Sequence, residues 1–478
     1  MLSISDHTNR GQETTVRPVD LRLPGAILLV SCYELGHQPL NLAFPLAYLR
    51  RADYAPSAVD TSVEPLDDRL IDQARLVAIS VPMHTALRLG EAIAERVRRR
   101  NPSAAVCFYG LYAWLNRDYL LRERADFVIG GEYEQPLLDL VRALESGSAI
   151  SGHSLTRMGP PSLERIDFPL PERTSLPAPR HYAHLMKDGL AIPAGYAETT
   201  RGCHHTCLHC PVVPVYRGRF FAIPRSVVLR DIRGQVEQGV GHITFGDPDF
   251  LNGPTHALRV CREMHAEFPQ LTFDMTTRIE HILEHRALFP EFAELGCVFV
   301  ISAVESVSET VLEHIEKGHT REDVVAALRV LEGAGIAMRP SLLPFTPWTT
   351  LDDYLDLLDF VAEHDLVANI DPVHYSIRLL VPPDSALLDR PETREWLGPL
   401  DEAAFTYRWA HPDPRVDELQ RRIAALVERA NLAQQDDALT FDQIRSLAYQ
   451  MAGRGEPPPV GSIDERRRPP KLSESWFC

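Results

Sequence analysis

Short apolar segments alternate with amphipathic helices along most of this 478-residue chain, and no other feature limits its fold as much. A strand buried on both faces reads as an unbroken apolar run, whereas a helix repeats its apolar positions every 3.6 residues. Between residues 24 and 150 the strand candidates are 26–32, 57–60, 76–81, 104–110 and 127–131. Helical patterns fill 39–51, 84–100 and 132–144. That order implies an α/β domain, a parallel sheet covered by helices on both faces, with ligands at the carboxyl ends of its strands.

Residues 151–185 break the pattern. They are rich in Pro, Ser and Gly, as expected of a linker crossing the surface between domains. A second alternation runs from 186 to 385, with strand candidates at 195–200, 242–246, 271–279, 297–305, 336–345 and 373–381. Helical segments such as 225–238, 255–268 and 350–363 lie between them. Six β-α units fit a partial (β/α)6 barrel, whose chemistry belongs at the C-terminal strand ends. Residues 386–454 read as a helical C-terminal region, clearest at 414–431 and 440–451, and 455–478 as a flexible Pro/Arg-rich tail.

The net charge of −17 argues against a general nucleic-acid binder or a protein held on anionic membranes, because both need clustered Lys and Arg. No apolar run approaches the roughly 18 residues of a membrane span. The polar residues 1–17 carry no secretory signal, so a cytoplasmic protein is expected. The eight cysteines form no disulfide framework; five are scattered and three are clustered.

That cluster is Cys203-His204-His205-Thr206-Cys207-Leu208-His209-Cys210, a C-x3-C-x2-C run just after the first strand of the second alternation. Three thiolates can hold a four-iron cluster and leave one iron open to a substrate or cofactor. The same run also suits zinc, with His204, His205 or His209 as a fourth ligand.

With its preceding Thr199-Thr200-Arg201-Gly202 and the β-α units that follow, the run resembles the radical S-adenosylmethionine (SAM) superfamily over residues 190–385. The resemblance implies a [4Fe–4S] cluster on Cys203, Cys207 and Cys210, with SAM chelated by the open iron. Reductive cleavage of SAM would then yield a 5′-deoxyadenosyl radical that abstracts hydrogen from a substrate. It places Gly246 and Asp247 at the methionyl amino group, Arg278 and Arg339 at the SAM carboxylate, and Glu305 and Ser306 near SAM. His209 stands where the family usually has an aromatic residue.

The first domain resembles the cobalamin-binding, Rossmann-like (flavodoxin-like) domain that precedes many radical SAM modules. Gly130-Gly131-Glu132-Tyr133-Glu134 is close to that group's Gly-Glu-x-Glu signature. The D-x-H-x-x-G motif for a lower cobalt ligand is absent; the loop reads Cys32-Tyr33-Glu34-Leu35-Gly36-His37. On this resemblance His37, with Cys32, His84 and Tyr112, lines the pocket. The tail, ending Ser473-Glu474-Ser475-Trp476-Phe477-Cys478, resembles that of radical SAM proteins closing with Cys-Cys-Ala-Glu-Pro or Cys-selenocysteine-Ala-Glu-Pro. A selenocysteine codon after Cys478 is therefore an expectation.

The expected activity is radical methyl transfer to a small molecule, with flavodoxin or ferredoxin as electron donor. Its rivals are aminocarboxypropyl transfer to a soft acceptor such as arsenic, and a non-enzymatic zinc or iron–sulfur sensor.

Overall fold

The computed structural model describes residues 20–147, 161–460 and 468–474. Five strands, β1 (Ile27–Ser31), β2 (Ser57–Asp60), β3 (Leu76–Ser80), β4 (Ala105–Tyr109) and β5 (Phe127–Ile129), form one sheet in the order β2-β1-β3-β4-β5. Every pairing is parallel. This is the flavodoxin-like order, with its switch point between β1 and β3. Helices Leu40–Arg51 and His84–Arg100 lie in separate apolar cores on opposite faces of the sheet, as the unbroken apolar strands require.

The second sheet contains β6 (His184–Lys187), β7 (Leu190–Ala197), β10 (His242–Phe245), β11 (Thr272–Thr276), β12 (Cys297–Glu305) and β13 (Ala337–Leu342). A small hairpin of β8 (Thr200–Gly202) and β9 (Phe220–Ala222) brackets the cysteine run. A second hairpin, β14 (Leu397–Asp401) and β15 (Thr406–Trp409), and a short strand β16 (Lys471–Leu472) complete the set. The order is β13-β12-β11-β10-β7-β6-β16, parallel from β13 to β7 and antiparallel beyond. The result is the expected α/β architecture, with a curled half-barrel of parallel strands.

Three expectations need correction. The strand expected at 373–381 begins as a 3-10 turn, Pro372–Ser376, and then joins the barrel through a single parallel bridge, with Phe345 N donating to Ile377 O (3.2 Å) and Leu379 N to Phe345 O (2.8 Å). Gln420 and Asp417 of the helix Pro414–Leu432 take Ser376 O and the Arg378 guanidinium, which diverts this segment from the sheet.

The described part of the linker, residues 161–185, is no surface crossing. Arg173, 4% exposed at its side chain, pairs with Asp231 at 2.6 Å and donates to Gln38 and to Tyr196 O, fastening both sheets together. Nor is the described end of the tail loose. β16 pairs with β6, and Leu472 is buried against Leu185, Ala194, Phe299 and Ile301. Cys478 lies outside the described residues.

Candidate active site

The cysteine run hangs between β8 and β9, above the C-terminal ends of the barrel strands. Its entry is fixed by Asp247, whose carboxylate accepts from Thr199 N (2.9 Å) and from the hydroxyls of Thr199 and Thr200 (2.6 Å each). Gly202 has φ +76°, and a Cβ there would lie 2.5 Å from Arg219 O and the Tyr216 ring, so the turn admits only glycine. Cys207 is buried, while Cys203 and Cys210 are half-buried. Burial pushes the Cys203 thiol up to about 11; for Cys210, burial and then its neighbour Cys207 push it up to about 12. Thiols held this way keep their protons until a cation replaces them, as in metal binding.

Positive groups surround the run. Arg278 Nη1 lies 2.9 Å from Cys207 Sγ, and the same guanidinium holds Glu280 and Lys317 O. Lys317 Nζ donates to Glu305 Oε1 at 3.0 Å, and His209 Nε2 approaches the same oxygen at 3.3 Å. Burial opposes ionisation of Glu305, but the Lys317 charge and the His209 contact hold its carboxyl far below the usual range. Glu305 also has φ +62° at the end of β12, which turns it towards the loop.

Arg201 ties this loop to the first sheet. Its guanidinium pairs with Glu134 (2.6 Å), Glu132 (3.1 Å) and Glu198 (3.1 Å), and lies over the rings of Phe44, Phe168 and Tyr133. The Arg of Thr-Thr-Arg-Gly and both acids of Gly-Glu-x-Glu, read separately in the sequence, therefore form one buried ion cluster.

Residues 197–361 match the Radical SAM superfamily. The chain carries a radical SAM domain. A protein of Pyrococcus horikoshii named an uncharacterized methyltransferase is 24% identical over 350 residues, spanning 69% of this chain and 74% of its own length. The anaerobic magnesium-protoporphyrin IX monomethyl ester cyclase of Rubrivivax gelatinosus is also 24% identical, over 62% of this chain and 57% of its own length. Among solved structures, the cobalamin-dependent SAM radical enzyme OxsB has a TM-score of 0.66 at 16% identity, covering 86% of this chain and 67% of OxsB. The radical SAM methyltransferase TsrM of Kitasatospora setae has a TM-score of 0.57 at 17% identity, covering 71% of each chain.

A radical SAM domain implies an enzyme whose cofactors are a [4Fe–4S] cluster and SAM. The cysteine loop fits that cluster: three thiols of one turn lie beside two cations, Arg278 and Lys317, that offset added negative charge.

The residues expected to touch SAM are placed unevenly. Glu305 and Arg278 lie at the loop, Arg278 on Cys207 itself. Ser306 accepts from Ser308 N at 3.1 Å, shaping the turn after β12. Asp247 is 1% exposed and its carboxylate is taken by Thr199 and Thr200, so it anchors the loop instead of facing an amino group. Gly246 is required for close approach, since a Cβ would collide with the Tyr196 ring. Arg339 lies on β13 below the mouth; it pairs with Asp371 (3.2 Å) and borders a cavity of about 20 Å³ with Leu472 and Glu474.

His37 does not line open space either. It is 1% exposed, its ring stacks 4.8 Å from Tyr196, and burial pulls its pKa down to about 3, keeping it neutral. His84 Nε2 lies 2.8 Å from Ala404 O and its ring meets Phe405, so the hairpin β14-β15 covers it. At the switch point the Ser31 hydroxyl is buried without a hydrogen-bond partner. A cleft of about 830 Å³ opens between the first sheet, the cysteine loop and the C-terminal region, lined by Trp114, Tyr119, Thr206, Arg217, Asp384 and Tyr407 among others.

The sequence reading missed Lys317, which holds Glu305, and the pairing of Asp249 with His281, whose Oδ2 and Nδ1 lie 2.9 Å apart. Asp249 follows Asp247 in Asp-Pro-Asp, and that doubled acid at a strand end was the available signal.

Proposed function

We propose that this enzyme transfers a methyl group to a small-molecule substrate, with Cys203, Cys207 and Cys210 as the cluster ligands. The observation that carries the reading is the convergence of three thiols with Arg278 and the Lys317–Glu305 pair at one barrel mouth. Bound there, the cluster and SAM supply a reductively generated carbon radical. The chain's own residues orient and shield. Arg278 neutralises charge at Cys207, Lys317 fixes Glu305 and through it His209, and Asp247 holds the loop entry. The likeness to a methyltransferase-named relative and to methyl-transferring structures supports the methyl group.

Cobalamin is the proposed methyl carrier, held at the C-terminal edge of the first sheet over residues 24–150. The unpartnered Ser31 hydroxyl at the switch point supports a polar ligand there. The covered rings of His37 and His84 support binding without a histidine on cobalt.

Anaerobic reconstitution followed by turnover with and without cobalamin tests the reading. About four irons per chain are expected, lost when Cys203, Cys207 or Cys210 is changed to Ala, with cobalamin-dependent S-adenosylhomocysteine among the products. Methylthioadenosine in its place would redirect the reading to aminocarboxypropyl transfer, and an iron-free protein that leaves SAM intact would overturn it.

A further inference from the structure

His204 and His205 lie inside the cysteine run, yet the cluster ligands proposed above make no use of them. Their rings are 3.9 Å apart, and His281 of the helix Ile279–Glu284 closes the group at 4.8 Å from His205 and 5.4 Å from His204. One ligand nitrogen from each of the three lies within 4.8 Å of the others. Behind them is Asp249, fully buried in the turn after β10. Its Oδ1 accepts from Thr277 Oγ1 (2.8 Å) and Leu251 N (3.1 Å). Its Oδ2 has no hydrogen bond of good geometry and points at His281 Nδ1 (2.9 Å) and His205 Nε2 (3.5 Å).

We propose that His204, His205 and His281, oriented by Asp249, form a mononuclear site for a divalent transition-metal ion of zinc-like softness, separate from the three cysteines. Zinc–nitrogen bonds of about 2.0–2.1 Å place tetrahedral ligand atoms about 3.4 Å apart, so small side-chain rotations bring these nitrogens onto one ion. A carboxylate behind a ligating imidazole fixes its tautomer and raises its basicity, and Asp249 is so placed for two of the three. His204 is exposed, leaving one side of the ion open to water. The three histidines come from the cysteine loop and the segment after β11, and Asp249 from the turn after β10, so the ion would pin the loop to two barrel strands.

The cluster-loaded full chain, exchanged into excess zinc and desalted, is expected to hold one zinc per chain beside its iron by elemental analysis. His281→Gln should lose that zinc and keep the iron, and Asp249→Asn should bind it 10- to 100-fold more weakly in competition with a chromophoric chelator. A chain with Cys203, Cys207 and Cys210 all changed to Ala should still bind one zinc, which keeps this test separate from the assignment of the cluster. The proposal is overturned if the cluster-loaded wild type retains no zinc, or if His281→Gln retains as much as wild type. Should the cysteine-free chain fail to fold, the cluster-loaded pair alone decides.

Discussion

Glu34 is a carboxyl placed where ionisation is costly. It is 5% exposed in the loop after β1, and it accepts from Leu40 N (3.0 Å) and Asn41 N (3.4 Å) at the start of the helix Leu40–Arg51. Burial, followed by the nearby Glu198 charge, pushes it up to about 8 from the ordinary value of 4.5, against those donors. Between those two values the folded chain binds more protons here than the unfolded chain does. Stability from this group is therefore lost as pH rises from about 4.5 to 8. Glu34→Gln keeps an acceptor for the helix and removes the titration. Urea unfolding at pH 5, 7 and 9 should show the variant gaining on the wild type as pH rises. Parallel pH profiles for the two chains would mean that Glu34 ionises freely. The departure at His209, and the loop Cys32-Tyr33-Glu34-Leu35-Gly36-His37 in place of D-x-H-x-x-G, were visible in the sequence. The burial that gives Glu34 its proton was not, because it comes from segments far along the chain.

Among the elements, legibility followed local periodicity. β12 was read to its ends at 297–305, and the helix His84–Arg100 likewise, because an apolar run or a 3.6-residue stripe is complete within the segment. Residues 373–381 misled for the same reason. Val373, Tyr375, Ile377, Leu379 and Val381 alternate as a strand should, yet the helix Pro414–Leu432 claims this stretch for its own hydrogen bonds. The tail strand was hidden because its partner is nearly 290 residues away. Leu185 pairs with Leu472, Ser473 N donates to His184 O at 2.8 Å, and Lys471 Nζ lies 3.3 Å from both Asp371 and Asp437. Burying a leucine is worth about 1.5–3 kcal/mol, and a carboxylate in its place would sit unpaired among Leu185, Ala194, Phe299 and Ile301. Leu472→Asp should therefore detach the strand, with faster hydrogen exchange at His184 and Ser473 and quicker proteolysis within residues 468–474, while β10 to β13 stay protected. Unchanged exchange at His184 would show that charged neighbours, not Leu472, hold the strand.

At the scale of the molecule, the C-terminal edges of two parallel sheets meet, and the cysteine loop is clamped to both. Thr199 and Thr200 bind Asp247 on the barrel side, and Arg201 binds Glu132 and Glu134 just past the C-terminal end of β5 in the first sheet. Each sheet could be read from its own alternation, but their union could not, since the contacts join residues about seventy positions apart with no periodic signature. The two clamps predict how metal loading is felt. A group that binds only the folded loop stabilises whatever the loop holds, so adding the cluster should slow hydrogen exchange at residues 130–134 and also at 246–252. Arg201→Met preserves much of the side-chain volume over Phe44, Phe168 and Tyr133 but removes the cation from the buried Glu132 and Glu134 and the half-buried Glu198. Breaking such a group costs about 3–5 kcal/mol, and burial already pushes Glu198 up to about 7 beside the arginine, so its carboxylate should take up a proton in the variant. In Arg201→Met, cluster loading should still protect 246–252, through the threonine clamp, and should no longer protect 130–134. Protection that persists at both edges would mean the first sheet senses the loop by another route, of which Tyr216, donating to Glu132 at 2.9 Å, is the nearest.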